Sequence, residues 1–242
     1  TLELSSAASD VYKRQNYTMF IFDSIGFGSA FALLIPLSYT PDVAFEISGA
    51  WFAAPSVIIM FYFLNIFGQF ISSSNRKKEE DSKLDVIKWG ILERLGFVLI
   101  YLTLNYFLDS SLILVFFLIT YGIFVYSSGA ILPAYFDLVS RVLYKHRAIF
   151  FAANLTTGSL AGFLVSRYVD FRIQEKGLVE GFSDGLLVVI AITSLSLIPL
   201  ILIKEPKGIS QNKKKLTLAI IKNKFNDWYD IYLSLIHIAE PT

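Results

Sequence analysis

The chain of 242 residues contains no cysteine. That excludes a disulfide framework, a thiolate zinc site and a thiol nucleophile. Only two histidines occur, His146 and His237. A lone histidine in a loop, as His146 is read, is a poor metal ligand set, and no Ser/His/Asp arrangement suggests itself. No Gly-rich phosphate loop of the form G-x-x-x-x-G-K-[ST] is found. The basic stretches lack the interleaved aromatics of a nucleic-acid surface, so no nucleic-acid partner is expected. No catalytic cluster lies within the apolar runs, so no enzyme, cofactor or metal is expected.

What the chain has is apolar length. Hydrophobic residues make up 55% and the mean hydropathy is +0.57. Six long apolar runs alternate with polar loops: Tyr17–Leu37, Ser48–Ile71, Trp89–Leu108, Leu112–Phe136, Phe150–Val169 and Leu186–Ile203. Each approaches the ~20 residues a helix needs to cross a hydrocarbon core of ~30 Å. Soluble core helices rarely stay apolar all round for so long. The expected fold class is all-α, a polytopic membrane protein of six transmembrane helices with the lipid bilayer as its solvent.

Both ends carry a common signature. Asp10–Gln15 back-translates to GAT-GTG-TAT-AAG-AGA-CAG, whose reverse complement encodes Leu-Ser-Leu-Ile-His-Ile, the residues at Leu233–Ile238. One DNA element in opposite orientations accounts for both, and it resembles the transposase mosaic end of sequencing-library adapters. Residues 1–15 and 233–242 are therefore expected to be adapter artefact, set aside from fold reasoning. Asn16–Tyr232 is expected to be the genuine piece, without its native start or stop. His237 leaves the inventory with the adapter, and the glycosylation-like Asn16-Tyr17-Thr18 sits at the junction.

Charge gives an orientation, because short loops rich in Lys and Arg stay in the cytoplasm. Arg76, Lys77, Lys78, Lys83 and Lys88 follow the second run. Arg141, Lys145 and Arg147 follow the fourth, and Lys204, Lys207 and Lys213–Lys215 follow the sixth. The alternate loops are acidic or mixed: Thr40–Glu46, the turn at Asp109-Ser110-Ser111, and Arg167–Gly185. Loops 72–88, 138–148 and 204–232 are thus expected in the cytoplasm of a multi-pass protein in the plasma membrane. The short turn at Asp109 makes the third and fourth helices antiparallel neighbours. Residues 16–204 form the expected bundle. Residues 205–232 form a linker in which Leu216, Ile220, Phe225 and Trp228 recur at helical spacing, as in an interfacial amphipathic helix.

Small residues mark expected packing faces: Gly158 and Gly162 in the fifth run, Gly129 in the fourth, and Gly26 and Gly28 in the first. Pro133 removes a backbone donor within the fourth. Asp23 is the most pointed polar residue, since an acid within a span usually faces the protein interior and serves function. Tyr121, Tyr126, Ser127, Asn154, Thr156 and Thr157 are further candidates for a solute or ion pathway. Asn65, Gln69 and Asn105 are weaker ones. Glu93 and Arg94 are read as interfacial. Asp137 and Arg141 share a helix face and, with Arg147, are candidates for a cytoplasmic ion-pair gate.

The stretch Ser127–Asp170, SSGAILPAYFDLVSRVLYKHRAIFFAANLTTGSLAGFLVSRYVD, resembles the fourth helix, loop and fifth helix of the major facilitator superfamily. Gly129, Pro133, Asp137, Arg141, Arg147, Gly158 and Gly162 carry the resemblance, and the six-run layout extends it over Asn16–Tyr232. The loop motif G-x-x-x-D-x-x-G-R-[KR] is matched by Gly68, Arg76 and Lys77, with Ser72 in place of the acid and Asn75 in place of the second glycine. No arginine lies between Leu112 and Tyr135, and Ser159 rather than proline follows Gly158. These departures point to a divergent branch and away from multidrug–proton exchange.

The resemblance implies the N-terminal half of a secondary transporter, built of two inverted three-helix repeats that face a second half of the same chain. It adds Arg76 and Lys77 to the gate. It implies transport of a small solute by alternating access, with a proton or sodium ion as coupling partner. A non-transporting protein of the same fold, and the six-helix membrane domain of an ATP-driven exporter, are the alternative readings.

Overall fold

The computed structural model describes residues 2–35, 37–75, 82–143 and 147–203, with side chains from Gln15 onward except those of 75 and 147. Arg76, Lys77, the side chain of Arg147, the linker 205–232 and the segment 233–242 lie outside the described residues. So do the side chains of residues 2–14, although the first helix runs through them. The described residues form seven helices and no strand: α1 (Leu2–Leu34), α2 (Thr40–Ser48), α3 (Ala53–Asn75), α4 (Ser82–Tyr106), α5 (Ile113–Val142), α6 (Arg147–Lys176) and α7 (Leu178–Leu202).

Five of these, α1 from Gln15, α3, α5, α6 and α7, are long and apolar enough to cross a bilayer. The apolar surface agrees with that solvent. Ile59, Phe63, Ile66 and Phe70 make an exposed stripe on α3, and Leu155, Leu160, Phe163 and Leu164 make one on α6. Contiguous apolar stripes of this kind suit lipid rather than water. The chain is a multi-pass membrane protein.

The helices correct the expected boundaries in three places. The first outer loop contains α2, whose Pro41 sits in the first turn and whose end is Gly49 at φ 62°. Pro at a helix start and a left-handed Gly past its end are what the chain needs there, so the second run enters its long helix at Ala53 rather than Ser48. The expected loop Arg167–Gly185 is instead helical, broken only at Gly177 with φ 90°. Its charges do not unwind it because they pair: Arg172 with Asp184 at 2.6 Å and with Glu175, and Lys176 with Asp184 at 3.0 Å. Third, α4 begins at Ser82, two turns before the run that marks it. It carries Lys83, Asp85, Lys88, Glu93 and Arg94 and is not among the five apolar helices.

Two apolar clusters organise the bundle. Toward one end lie Leu33, Leu34, Phe97, Phe117, Tyr121, Phe124, Phe182 and Val189, with the rest of the larger cluster. Toward the other lie Phe20, Val86, Ala134, Leu138, Phe150 and Leu200. The second cluster takes the starts of α1, α4 and α6 and the finishes of α5 and α7, so consecutive long helices alternate in direction. The turn at Asp109 does hold α4 and α5 as antiparallel neighbours.

Glycine sets how closely these helices approach. A Cβ on Gly28 of α1 would stand 1.9 Å from the Gly158 carbonyl oxygen of α6, and one on Gly129 of α5 would stand 2.2 Å from the Asn65 oxygen of α3. Both are collisions with backbone, so neither helix pair can keep its spacing with a side chain there. On the other partner the space is greater: a Cβ on Gly158 meets the Ser24 oxygen at 3.0 Å. Helix α5 continues through Pro133 without ending.

At the exit of α1, hydroxyls replace the missing helical donors. Ser38 donates to Leu33 O at 2.7 Å, Thr40 to Leu33 O at 3.0 Å and Tyr121 to Leu34 O at 3.0 Å. Tyr39 donates to Asp170 at 2.6 Å, and burial together with that carboxylate pushes its phenol up to about 12. The donor therefore stays protonated at any physiological pH.

The two partners at the α1–α6 crossing should respond unequally. Gly28→Ala is expected to cost about 2 kcal/mol or more through forced helix separation, and Gly158→Ala clearly less. Thermal unfolding of the two variants in the same detergent checks the order, and equal midpoints would contradict the crossing geometry.

Candidate functional site

A cavity of about 390 Å³ lies between the two apolar clusters. Its walls come from α1, α4, α5, α6 and α7. The polar side chains at this level are Asp23, Ser24, Glu93, Arg94, Ser128, Tyr135, Asn154 and Thr193. Most of them fall between residues of one apolar cluster and residues of the other: Asp23 between Phe20 and Ala30, Ser128 between Val125 and Ala134, Thr193 between Val189 and Leu200, while Tyr135 packs against the second cluster. Ser128 sits at the middle of α5 and Glu93 near the middle of α4. The polar layer is therefore at mid-depth of the bundle.

Glu93 and Arg94 are thus not interfacial, contrary to the reading from sequence. The early start of α4 moves them from the end of a helix to its centre, with side chains only 14% and 12% exposed. A guanidinium in such a place must have its donors filled. Arg94 Nε donates to Thr193 O at 2.7 Å, Nη1 to Gly90 O at 2.8 Å and Nη2 to Ser196 Oγ at 3.1 Å, while Nη1 lies 3.5 Å from the Glu93 carboxylate. Gly90 and Gly26 make room at this level: a Cβ on Gly90 would stand 3.1 Å from Arg94 Nη1, and one on Gly26 2.3 Å from Ser196 Oγ.

Asp23 faces the same cavity with a different status. It lies in the electrostatic field of Arg94, Glu93 and Tyr135. It makes no hydrogen bond and no ion pair among the described residues. Asn154 donates to Tyr135 Oη at 3.2 Å and to Phe20 O at 3.4 Å, forming the floor beneath it.

Helices α1 and α5 touch at two levels, and the cavity fills the space between. At one level Tyr121 reaches Leu34 O. At the other, the rings of Phe20 and Tyr135 meet edge to face at 5.7 Å.

The remaining sequence candidates are dispersed. Tyr121 is 0% exposed and belongs to the apolar cluster at the α1 exit. Tyr126 packs on Trp89 and Phe67. Ser127 and Thr156 bond their own helices, at Ile123 O and Ala152 O. Thr157 is half-buried on α6 and is absent from the cavity wall. Gln69 donates to Asn65, and Asn105 to Ser183 Oγ at 2.7 Å. Asp137 and Arg141 form the expected i,i+4 pair at 2.8 Å, joined by Ser82, which donates to Asp137 at 2.6 Å. Beside them Lys83 donates to Ile203 O at 2.7 Å, so α4, α5 and α7 are tied at this end.

Fold and site together define an all-helical, multi-pass membrane protein with a charged cavity at mid-depth. Comparison with protein-family models, characterised proteins and solved structures gives no match.

Removing Arg94 would leave Glu93 as an uncompensated charge and three acceptors without their donor. Arg94→Met is expected to destabilise the protein by about 3 kcal/mol, the scale for breaking a buried pair. Glu93→Gln in the same chain should return part of that loss. Thermal unfolding of the single and double variants measures the coupling, and additive effects would show that the pair does not act as one.

Proposed function

We propose that the chain is part of a secondary transporter that carries a small solute through the bilayer by alternating access. The observation that carries this reading is the mid-depth cavity, which holds Asp23 and the Glu93–Arg94 pair between two apolar layers. Ionisable groups at that depth are costly and mark solute or ion pathways, and binding at the midplane is where alternating access needs its site.

The helix arrangement supports six spans in two inverted repeats, α1–α3–α4 and α5–α6–α7. Exchanging the repeats turns the α1–α6 pair into the α5–α3 pair, and both are close, parallel crossings with glycine at the contact. It turns the antiparallel α1–α7 pair into the antiparallel α5–α4 pair, and both pack extensively. The α4–α7 pair maps onto itself. On this reading α4 spans the bilayer although it is charged, because its polar groups face α7 and the cavity. The resemblance of Ser127–Asp170 to the facilitator superfamily points the same way. We read the Ser82–Asp137–Arg141 end as cytoplasmic and its ion pair as part of the gate. A second six-helix half would complete the site.

The absence of cysteine makes the test direct. Leu132→Cys places a single thiol on the cavity wall, and a membrane-impermeant maleimide applied to right-side-out or inverted vesicles reads access from each side. Adding Asp137→Arg breaks the pair at one end. It should raise labelling from that side relative to the other by about tenfold, the effect of a bias near 1.4 kcal/mol. Labelling from one side only, with the ratio unmoved by Asp137→Arg, would reject alternating access.

A further inference from the structure

We infer that the cavity binds a monovalent organic cation with an aromatic or bulky apolar body, and that Asp23 is its counter-ion. The inference specifies a ligand for the site on which the transporter reading rests.

The charge balance comes first. Arg94 and Glu93 offset each other, and Nε, Nη1 and Nη2 of Arg94 each already donate, to Thr193 O, Gly90 O and Ser196 Oγ. Arg94 therefore has little left for an anionic ligand. Asp23 has no hydrogen-bond or ion-pair partner among the described residues and lines the cavity. The charged residues of the wall thus carry one negative charge in excess, and a carboxylate withdrawn from water needs a compensating positive charge. Of the groups that face it, α4 contributes only Glu93 and Arg94, α5 only Tyr135, and α6 and α7 contribute no charge at all. Among the described residues of the wall nothing supplies the missing positive charge.

The shape and lining select the kind of cation. Oxygen ligands for a bare divalent ion are too few, since Glu93 is engaged by Arg94. Around Asp23 the wall is Phe27, Phe136, Phe151, Tyr135, Ile131 and Leu132. Aromatic faces attract an organic cation and stay apolar toward its body. A space of about 390 Å³ accommodates a compact organic molecule rather than a lone ion.

Tetraphenylphosphonium and tetraphenylborate share a shape and differ in the sign of charge, which makes them suitable probes. The full chain in detergent should bind radiolabelled tetraphenylphosphonium saturably. Radiolabelled tetraphenylborate, assayed separately because the two ions coprecipitate, should not bind saturably, whereas a quaternary benzylammonium should displace the phosphonium. Asp23→Asn should weaken binding at least tenfold, and Asp23→Glu should retain it. Borate binding as tight as phosphonium binding would mean that the cavity takes the apolar body whatever its charge, and would overturn the inference. So would no saturable binding by the wild-type chain, or binding unchanged in Asp23→Asn. The comparison of the two ions needs no variant, so it decides even if Asp23→Asn fails to fold. The outcome is separable from that of the thiol labelling. Cation binding with one-sided access keeps the ligand and rejects transport, while two-sided access without cation binding does the reverse.

Discussion

The bundle depends on how it holds one guanidinium. Arg94 sits near the centre of α4, at mid-depth, with four contacts in reach: two backbone carbonyls, a serine hydroxyl and the Glu93 carboxylate. In a low-dielectric interior each unfilled donor would be costly, so the position of α7 against α4 is fixed by chemistry as well as by packing. Thr193 and Ser196 on α7 meet that demand. Ser196 in turn lies against Gly26 of α1, where no Cβ fits. The arginine therefore sets the α4–α7 contact directly and the α1–α7 contact through Ser196.

Close backbone approach is the second constraint, and it explains why the cavity exists. Lipid supplies no hydrophobic drive between helices, so tight contact must come from small residues. Here the closest backbone approaches between long helices include α1 on α6 at Gly28 and Gly158, and α3 on α5 at Gly129 and Gly68. Helices α1 and α5 are drawn toward different partners. They meet each other through bulky side chains at two levels, Tyr121 on Leu34 O and Phe20 on Tyr135. The space between those contacts is where Asp23 stands.

Much of this was legible in the sequence, and the failures have physical causes. Apolar run length gave the long helices, the turn at Asp109 gave the α4–α5 hairpin, and i,i+4 spacing gave the Asp137–Arg141 pair. Helix ends were misjudged wherever charge was taken to mean loop. Ser82–Lys88 and Arg167–Gly185 are polar but helical, because their charges pair or reach the bundle end. That error hid Glu93 and Arg94, which looked terminal only because the start of α4 was set too late. Pro41 and Gly49 do bracket α2 in sequence, and their spacing was the available signal. The Arg94 partners on α7 were not legible by any rule. One is a main-chain carbonyl, which every residue has, and the other is a serine about a hundred positions away.

The two α1–α5 contacts also bear on how the cavity is closed, since they differ in kind. At the α1 exit the Tyr121 hydroxyl is buried and directional, within the larger apolar cluster and beside the hydroxyl caps of Ser38 and Thr40. Opening there would strand a buried carbonyl and a phenol together. At the opposite level Phe20 and Tyr135 meet by ring edges, and Tyr135 is only half-buried. An edge-to-face aromatic contact holds by area and orientation and leaves no orphaned polar group on parting. The Asn154 amide from α6 bridges the two helices here, donating to Tyr135 Oη and to Phe20 O. At the same end Ser82–Asp137–Arg141 and Lys83 to Ile203 O tie α4 to α5 and α7. The α1–α5 contact is thus held by one directional hydroxyl bond at the α1 exit and by ring edges with a shared amide at the other level.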